Sequence, residues 1–242
     1  MTKLVQSVQE QRGITSETTM SFASAGSQRW LQVAVNRKPE LLLTALRRCE
    51  AIGPRVSVAW QSPLEVEAFC EYQDGKALEK AGISNLKTPL EKFWPARGPV
   101  WDALGITSDG HPLFIEAKAH IPEAASPASK ASSQTSIDLI EKSLEAARGY
   151  YAPRATATWS KLFYQYANRL AHHYFLKKVN GFPSILVFLY FVNADDMLGP
   201  MSEDEWHGAV RLIHAVLGLP KDLKRYGVFD AFLDARLLQD AG

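Results

Sequence analysis

The chain is predicted to be α/β, a central mixed β-sheet flanked by helices, and three observations predict it. Residues 185–192 form a run of eight apolar side chains, as expected of a strand covered on both faces. Ser108-Asp109-Gly110 separates two apolar runs, 100–107 and 111–120, which reads as a β-hairpin. Segments of helical period lie before, between and after these strands, so helices must pack on the sheet.

Taken in order, residues 1–27 are rich in Ser, Thr and Gln with little periodicity and read as a polar lead-in, with a single α/β domain over 28–242. Residues 28–36 and 39–50 form a helical pair; Pro39 suits a first helical position and Gly53-Pro54 closes the second helix. Residues 55–60 alternate as a strand. Residues 65–81 are helical in composition, and 89–93 add a short turn. Residues 121–136, built of Pro, Ala and Ser, make a surface loop. Helices follow over 137–150 and 159–179, the latter stopped by Asn180-Gly181. After the buried strand over 183–193, Ser202-Glu203-Asp204-Glu205 resembles a capping box opening a helix to Leu217. Residues 228–233 supply a last short strand.

The 242 residues carry 27 basic and 26 acidic side chains, a net charge of +1. That balance argues against a strongly basic nucleic-acid coat protein, but not against an enzyme with a local basic groove. The two cysteines, Cys49 and Cys70, have no zinc-site spacing and read as buried or partly buried thiols of a reducing compartment. No apolar run approaches the length of a membrane span, and the expected location is the cytoplasm.

The chemistry concentrates in residues 98–120. On a strand, alternate residues share a face, so Glu116 and Lys118 point the same way. The loop decides whether Asp102 joins them. A two-residue turn would pair Asp102 with Ala117, on the wrong face; a three-residue loop pairs it with Glu116. Gly110 stands where a three-residue loop needs its left-handed residue, so Asp102, Glu116 and Lys118 are predicted to share one face. Carboxylates directly opposite repel, and a divalent cation relieves them. Hard carboxylate oxygens suit Mg²⁺ or Mn²⁺, with water and substrate phosphate in the remaining positions.

The pattern Pro99-x-x-Asp102, thirteen residues, then Glu116-x-Lys118 resembles the active-site signature of the PD-(D/E)XK nuclease superfamily. The resemblance implies a restriction-endonuclease-like αβββαβ core, here with N-terminal helical additions. It implies metal-dependent hydrolysis of nucleic acid, DNA rather than RNA, with Asp102, Glu116 and the carbonyl of Ala117 as metal ligands. It gives Lys118 the part of assisting the attacking water. Many members add a glutamate from an earlier helix, for which Glu71 is the candidate and Glu67 and Glu79 are rivals. The proline departs from the pattern in standing three residues before the aspartate, with Trp101 between. Two other readings stand beside this one: a nuclease-fold binding or regulatory module without activity, and a glycosidase in which Lys118 has no task. A homodimer is an open alternative to a monomer.

On the helix over 159–179, Gln165 and Arg169 share a face at i, i+4 and are candidates to contact substrate phosphate or the water, weighed evenly against a half-exposed polar face. His172, His173, His111 and His120 read as structural. Trp94, Trp101, Tyr190 and Phe191 read as core rather than stacking platforms. Lys130, Arg148, Arg154 and Lys161 read as solvated surface.

Overall fold

The computed structural model describes residues 21–241, so all but the last residues of the polar lead-in lie outside the described part. Five strands, β1 (Val58–Ser62), β2 (Ala103–Thr107), β3 (Pro112–Lys118), β4 (Ile185–Val192) and β5 (Val228–Asp234), make one sheet in the order β1-β2-β3-β4-β5. β1, β2 and β3 run antiparallel in succession, whereas β4 and β5 join parallel to β3. The sheet is therefore mixed, and helices lie on both faces.

One face is covered by the helical pair α1 (Gly26–Arg37) and α2 (Pro39–Arg48). Their buried Trp30, Leu31, Leu42 and Leu46 pack with Ala103, Ile115, Val187 and Ala231 of the sheet. The other face is covered by α5 (Gln134–Tyr151), α6 (Tyr164–Tyr174) and α7 (Glu203–Leu217), which meet Phe114, Phe188 and Tyr190. β4 is buried along its whole length, which explains its lack of alternation. Trp101, Trp94, Tyr190 and Phe191 are all core residues. Ser202 caps α7 by accepting from the Glu205 N–H, and Gly218 ends that helix in the left-handed region.

Four expectations need correction. Residues 65–81 do not form one helix: a single 3-10 turn (Glu65–Glu67) breaks at Ala68 and Phe69, both left-handed, and helix resumes only as α3 (Asp74–Lys80). Between them the chain is extended, because the Trp101 N–H donates to the Tyr72 carbonyl at 3.0 Å and draws the segment onto the sheet. The helix expected from residue 159 starts at Tyr164, since Trp159 is buried with its indole N–H bonded to the Leu217 carbonyl at 3.0 Å. It then widens into a π-helix (Phe175–Asn180) that stops at left-handed Gly181. The loop over 121–136 contains a short turn of helix, α4 (Ile121–Ala124), and its last residues belong to α5. Cys70 is exposed, and only Cys49 is partly buried.

Candidate active site

The hairpin decides the site. Thr107 N–H donates to the His111 carbonyl at 3.0 Å, and Gly110 has φ +83°, so the connection is the three-residue loop. Ala103 then pairs with Ile115 and Leu104 with Phe114, which sets Asp102, one residue before β2, opposite Glu116. Lys118 follows two residues on. All three lie on the face covered by α5, α6 and α7.

Glu116 is 3% exposed and is held from both sides. Its Oε1 meets Lys118 Nζ in a short ion pair, and its Oε2 accepts from Arg169 Nε at 2.5 Å. Arg169 reaches this point from α6, donates a second bond to the Val100 carbonyl at 2.8 Å and lies over the Trp101 ring at 5.0 Å. Burial opposes the charge on Glu116, yet Arg169 and Lys118 outweigh it and hold the carboxyl below its ordinary value. Burial likewise opposes the ammonium of Lys118, but Glu116 and Asp102 raise it above the usual range. Asp102 is the opposite case. Burial first, then the Glu116 charge, push its carboxyl up to about 7, although its Oδ2 accepts from the Ala117 N–H at 2.7 Å.

The extended segment after the 3-10 turn brings Glu71 to the same place, since the Tyr72–Trp101 bridge sets it beside Asp102. Glu71 accepts from Gln28 Nε2 at 3.1 Å; its carboxyl is raised by burial, partly offset by that bond, and feels the charges of Glu116, Arg169 and Lys118. Of the rivals, Glu67 is taken by Lys80 and by the Tyr72 hydroxyl at 2.7 Å, and Glu79 is exposed on α3. Glu71 thus arrives as expected, but from an extended segment rather than a helix.

Gln165 is exposed and shares with Glu116 and Lys118 a cavity of about 10 Å³. A larger groove of about 840 Å³ opens alongside, between residues 94–100 and 126–133, with Gln165, Asn168 and Arg169 of α6 along one side. Its lining holds Arg97, Lys130 and Arg169 and no Asp or Glu. Lys130, read as mere surface, therefore belongs to the groove; Arg148 turns away to the Ala155 carbonyl and Glu145. Arg97 and Asn168 escaped notice in the sequence. His172 and His173 are buried in the core. His173 bridges the Tyr151 hydroxyl (2.7 Å) and the Ser184 carbonyl (2.9 Å), while His172 is buried among Phe93, Trp94 and Trp101. Burial lowers both, to about 4 and about 3. His120 precedes α4, 3.4 Å from Glu123, and His111 stands 3.9 Å from Asp109.

Three carboxylates, Asp102, Glu116 and Glu71, face two cations, Lys118 and Arg169, so one negative charge stays uncompensated when all are ionised. Among the described residues no three His, Cys, Asp or Glu side chains converge as a ready-made metal cage. An Mg²⁺-like ion here would have to be held by one or two of these carboxylates and completed by water and substrate oxygens.

No family model, curated protein or solved structure matches this chain. Among the described residues no helix is long and apolar enough to cross a membrane.

Proposed function

We propose that this chain is a metal-dependent phosphodiester hydrolase acting on nucleic acid, with DNA as the preferred substrate. One observation carries the reading: Asp102, Glu116 and Lys118 meet on one sheet face, with Glu71 beside them and an acid-free groove at their edge. Asp102, Glu71, Glu116 and the Ala117 carbonyl would hold Mg²⁺ or Mn²⁺. The bound ion would supply Lewis acidity, lowering the pKa of water and polarising a phosphoryl oxygen.

The chain's own groups divide the remaining work. Lys118 is held charged by its two carboxylates, so it serves as a hydrogen-bond donor and stabiliser of developing negative charge, not as a base. Arg169 keeps Glu116 ionised and in place through a 2.5 Å contact. Arg97 and Lys130 would neutralise phosphates of a strand lying in the groove. Gln165, exposed where the groove meets the cavity beside Glu116 and Lys118, is placed to touch a substrate oxygen or the attacking water.

The test is Mn²⁺-dependent cleavage of single- and double-stranded DNA by the wild type, Asp102→Ala and Lys118→Ala. Each substitution is expected to lower the rate by about 10²-fold or more. Equal cleavage by all three proteins would overturn the reading. One observation favours a second reading, a binding module without activity: both Glu116 oxygens are already taken by cations. Calorimetric titration with Mn²⁺ separates the two. The hydrolase takes up about one ion per chain and loses it in Asp102→Ala; the module takes up none, with or without a DNA strand.

A further inference from the structure

The two edges of the sheet differ. β1 has five residues, its register with β2 shifts between Trp60 and Ser62, and Pro63 follows it. A bulge and a proline both keep a strand edge from pairing with another chain. β5, at the opposite edge, has seven residues in unbroken register with β4 and contains neither Pro nor Lys. The Leu186 N–H donates to the Gly227 carbonyl at 3.0 Å, which fixes the phase of this parallel ladder. Phe229, Ala231 and Leu233 therefore turn their main-chain groups to β4, and Asp230 and Phe232 turn theirs outward. Among the described residues those outward N–H and C=O groups have no hydrogen-bond partner.

A groove of about 650 Å³ follows this edge, lined by Ala45 and Arg48 of α2 as well as by α7. Those helices cover opposite faces of the sheet, so the groove passes around the edge of β5, with Asp230 and Phe232 in its floor. The groove side of α7 is the stripe Asp204, His207, Gly208 and Arg211, at i, i+3, i+4 and i+7. Gly208 stands at the centre of that stripe, inside a 15-residue helix, where glycine is less favourable than alanine. Nothing lies within 4 Å of where its Cβ would be, so the missing side chain leaves the groove open. The His207 and Phe232 rings meet with centroids 4.7 Å apart, which sets Arg211, one turn further along α7, toward the Val228 end. Arg211 and Lys221 at that end have no ion-pair partner among the described residues. Glu203 is held by Arg48, and Asp222 accepts from the Lys224 N–H at 3.3 Å.

We infer that the edge of β5 takes an extended peptide segment of a partner protein as a sixth strand, laid between α2 and α7 with an acidic residue at the Arg211–Lys221 end. Alternating outward N–H and C=O groups are matched along their length by another extended main chain. A second copy of this chain would bring a β5 equally recessed between two helices, so the walls would meet before the strands did. A segment without flanking helices has no such obstacle. Its side chains alternate between the walls, one set toward Phe232 and His207, the other toward Ala45 and the stem of Arg48. The Arg48–Glu203 pair joins the two walls, but it is exposed and contributes little, so it opens at small cost as the segment enters. None of these residues belongs to the Asp102–Glu116 site, and the inference does not rest on the hydrolase reading.

The experiment is fluorescence anisotropy on the full chain with labelled pools of short peptides, in which Val alternates with a varied residue and the last residue is Asp or Lys. The wild type is expected to bind the Asp-ended pool about fivefold tighter than the Lys-ended one. In the tightest member, methylating alternate main-chain nitrogens should cost about tenfold or more in one phase and under about twofold in the other, because only alternate N–H groups face β5. Gly208→Tyr fills the groove and should weaken binding by about tenfold or more without lowering the urea midpoint. Gly208→Gln serves if the tyrosine variant does not fold. Arg211→Ala with Lys221→Ala should remove the difference between the pools and keep the methylation pattern. The inference is overturned if neither pool binds better than a Gly/Ser peptide, if methylation costs the same in both phases, or if the Gly208 variants bind as the wild type does. A Lys-ended pool bound as tightly as the Asp-ended one removes the acidic occupant. A concentration-dependent dimer that Gly208→Tyr dissolves would give the groove to a second copy and overturns the inference as well.

Discussion

Two buried carboxylates occupy the same cross-strand row of the sheet and have opposite characters. Glu116 on β3 pairs with Phe188 on β4, and Phe188 pairs with Asp230 on β5. Glu116 has a cation on each oxygen and is held below its ordinary pKa. Asp230 lines a groove of about 650 Å³ at the outer edge of the sheet, and its Oδ1 has no partner among the described residues. Burial pushes its carboxyl up to about 7. Burial is therefore common to both positions and does not by itself set the charge state. What distinguishes Glu116 is a cation from the next residue of its own strand face and another from α6. Paired cations keep a buried carboxylate ionised, whereas burial pushes one without them, such as Asp230, toward its neutral form.

The largest effect should come from breaking the Glu116 arrangement. Arg169→Met removes one of two cations from a buried carboxylate and is expected to cost on the order of 3–5 kcal/mol in urea unfolding. Adding Glu116→Gln to it should recover a large part of that loss, because the charge that had been stranded is gone. A loss under about 1 kcal/mol for the single variant would show that Lys118 alone suffices and that Arg169 is free for substrate.

Asp230 should behave in the opposite sense. Its folded-state pKa lies above the unfolded value near 3.8, so the stability linked to its proton is present at low pH. That stability is lost as pH rises from about 4 through about 7. Asp230→Asn has no such loss. It is expected to be more stable than the wild type at pH 8, by on the order of 2–4 kcal/mol, with the gap closing toward pH 4. Unfolding curves at the two pH values decide the matter. A gap that does not change with pH would mean that Asp230 is ionised in the fold and has found a cation.

The contrast between these sites also explains how far the sequence could be read. The Asp102–Glu116 register was legible because it depends on local turn chemistry, a glycine at the left-handed position of a three-residue loop. β4 and the Ser202 cap were legible for the same reason, each being carried by a short contiguous pattern. Glu71 lies beside Asp102, but not on a helix, because helical composition over 65–81 yielded to a single long-range bridge from Tyr72 to Trp101. The Arg169–Glu116 pair spans 53 residues of sequence, and no local pattern separates it from an ordinary polar helix face. Asp230 and Asn168 were passed over entirely. For Asp230 a signal existed: a lone acid between Phe229 and Ala231 in a strand that is otherwise apolar until Asp234. For Asn168 there was none, because only the packing of α6 shows that its amide oxygen is left without a donor.

Tyr190 offers the finest test of whether the two carboxylates are independent. It pairs with Lys118 on one side and Phe232 on the other, one step along the sheet from both acids. Its ring is buried against Trp206, with centroids 4.7 Å apart, and its hydroxyl lies toward Asp230 without a hydrogen bond of good geometry among the described residues. An unsatisfied buried hydroxyl contributes nothing and costs its desolvation, so Tyr190→Phe is expected to be neutral or to stabilise by up to about 1 kcal/mol. The Asp230→Asn gap between pH 4 and pH 8 should be the same in either background. A loss of about 1.5 kcal/mol or more, together with a change in that gap, would show that the hydroxyl bonds to Asp230. The row would then act as one coupled network, and Asp230 would take part in setting the charge of the site at Glu116.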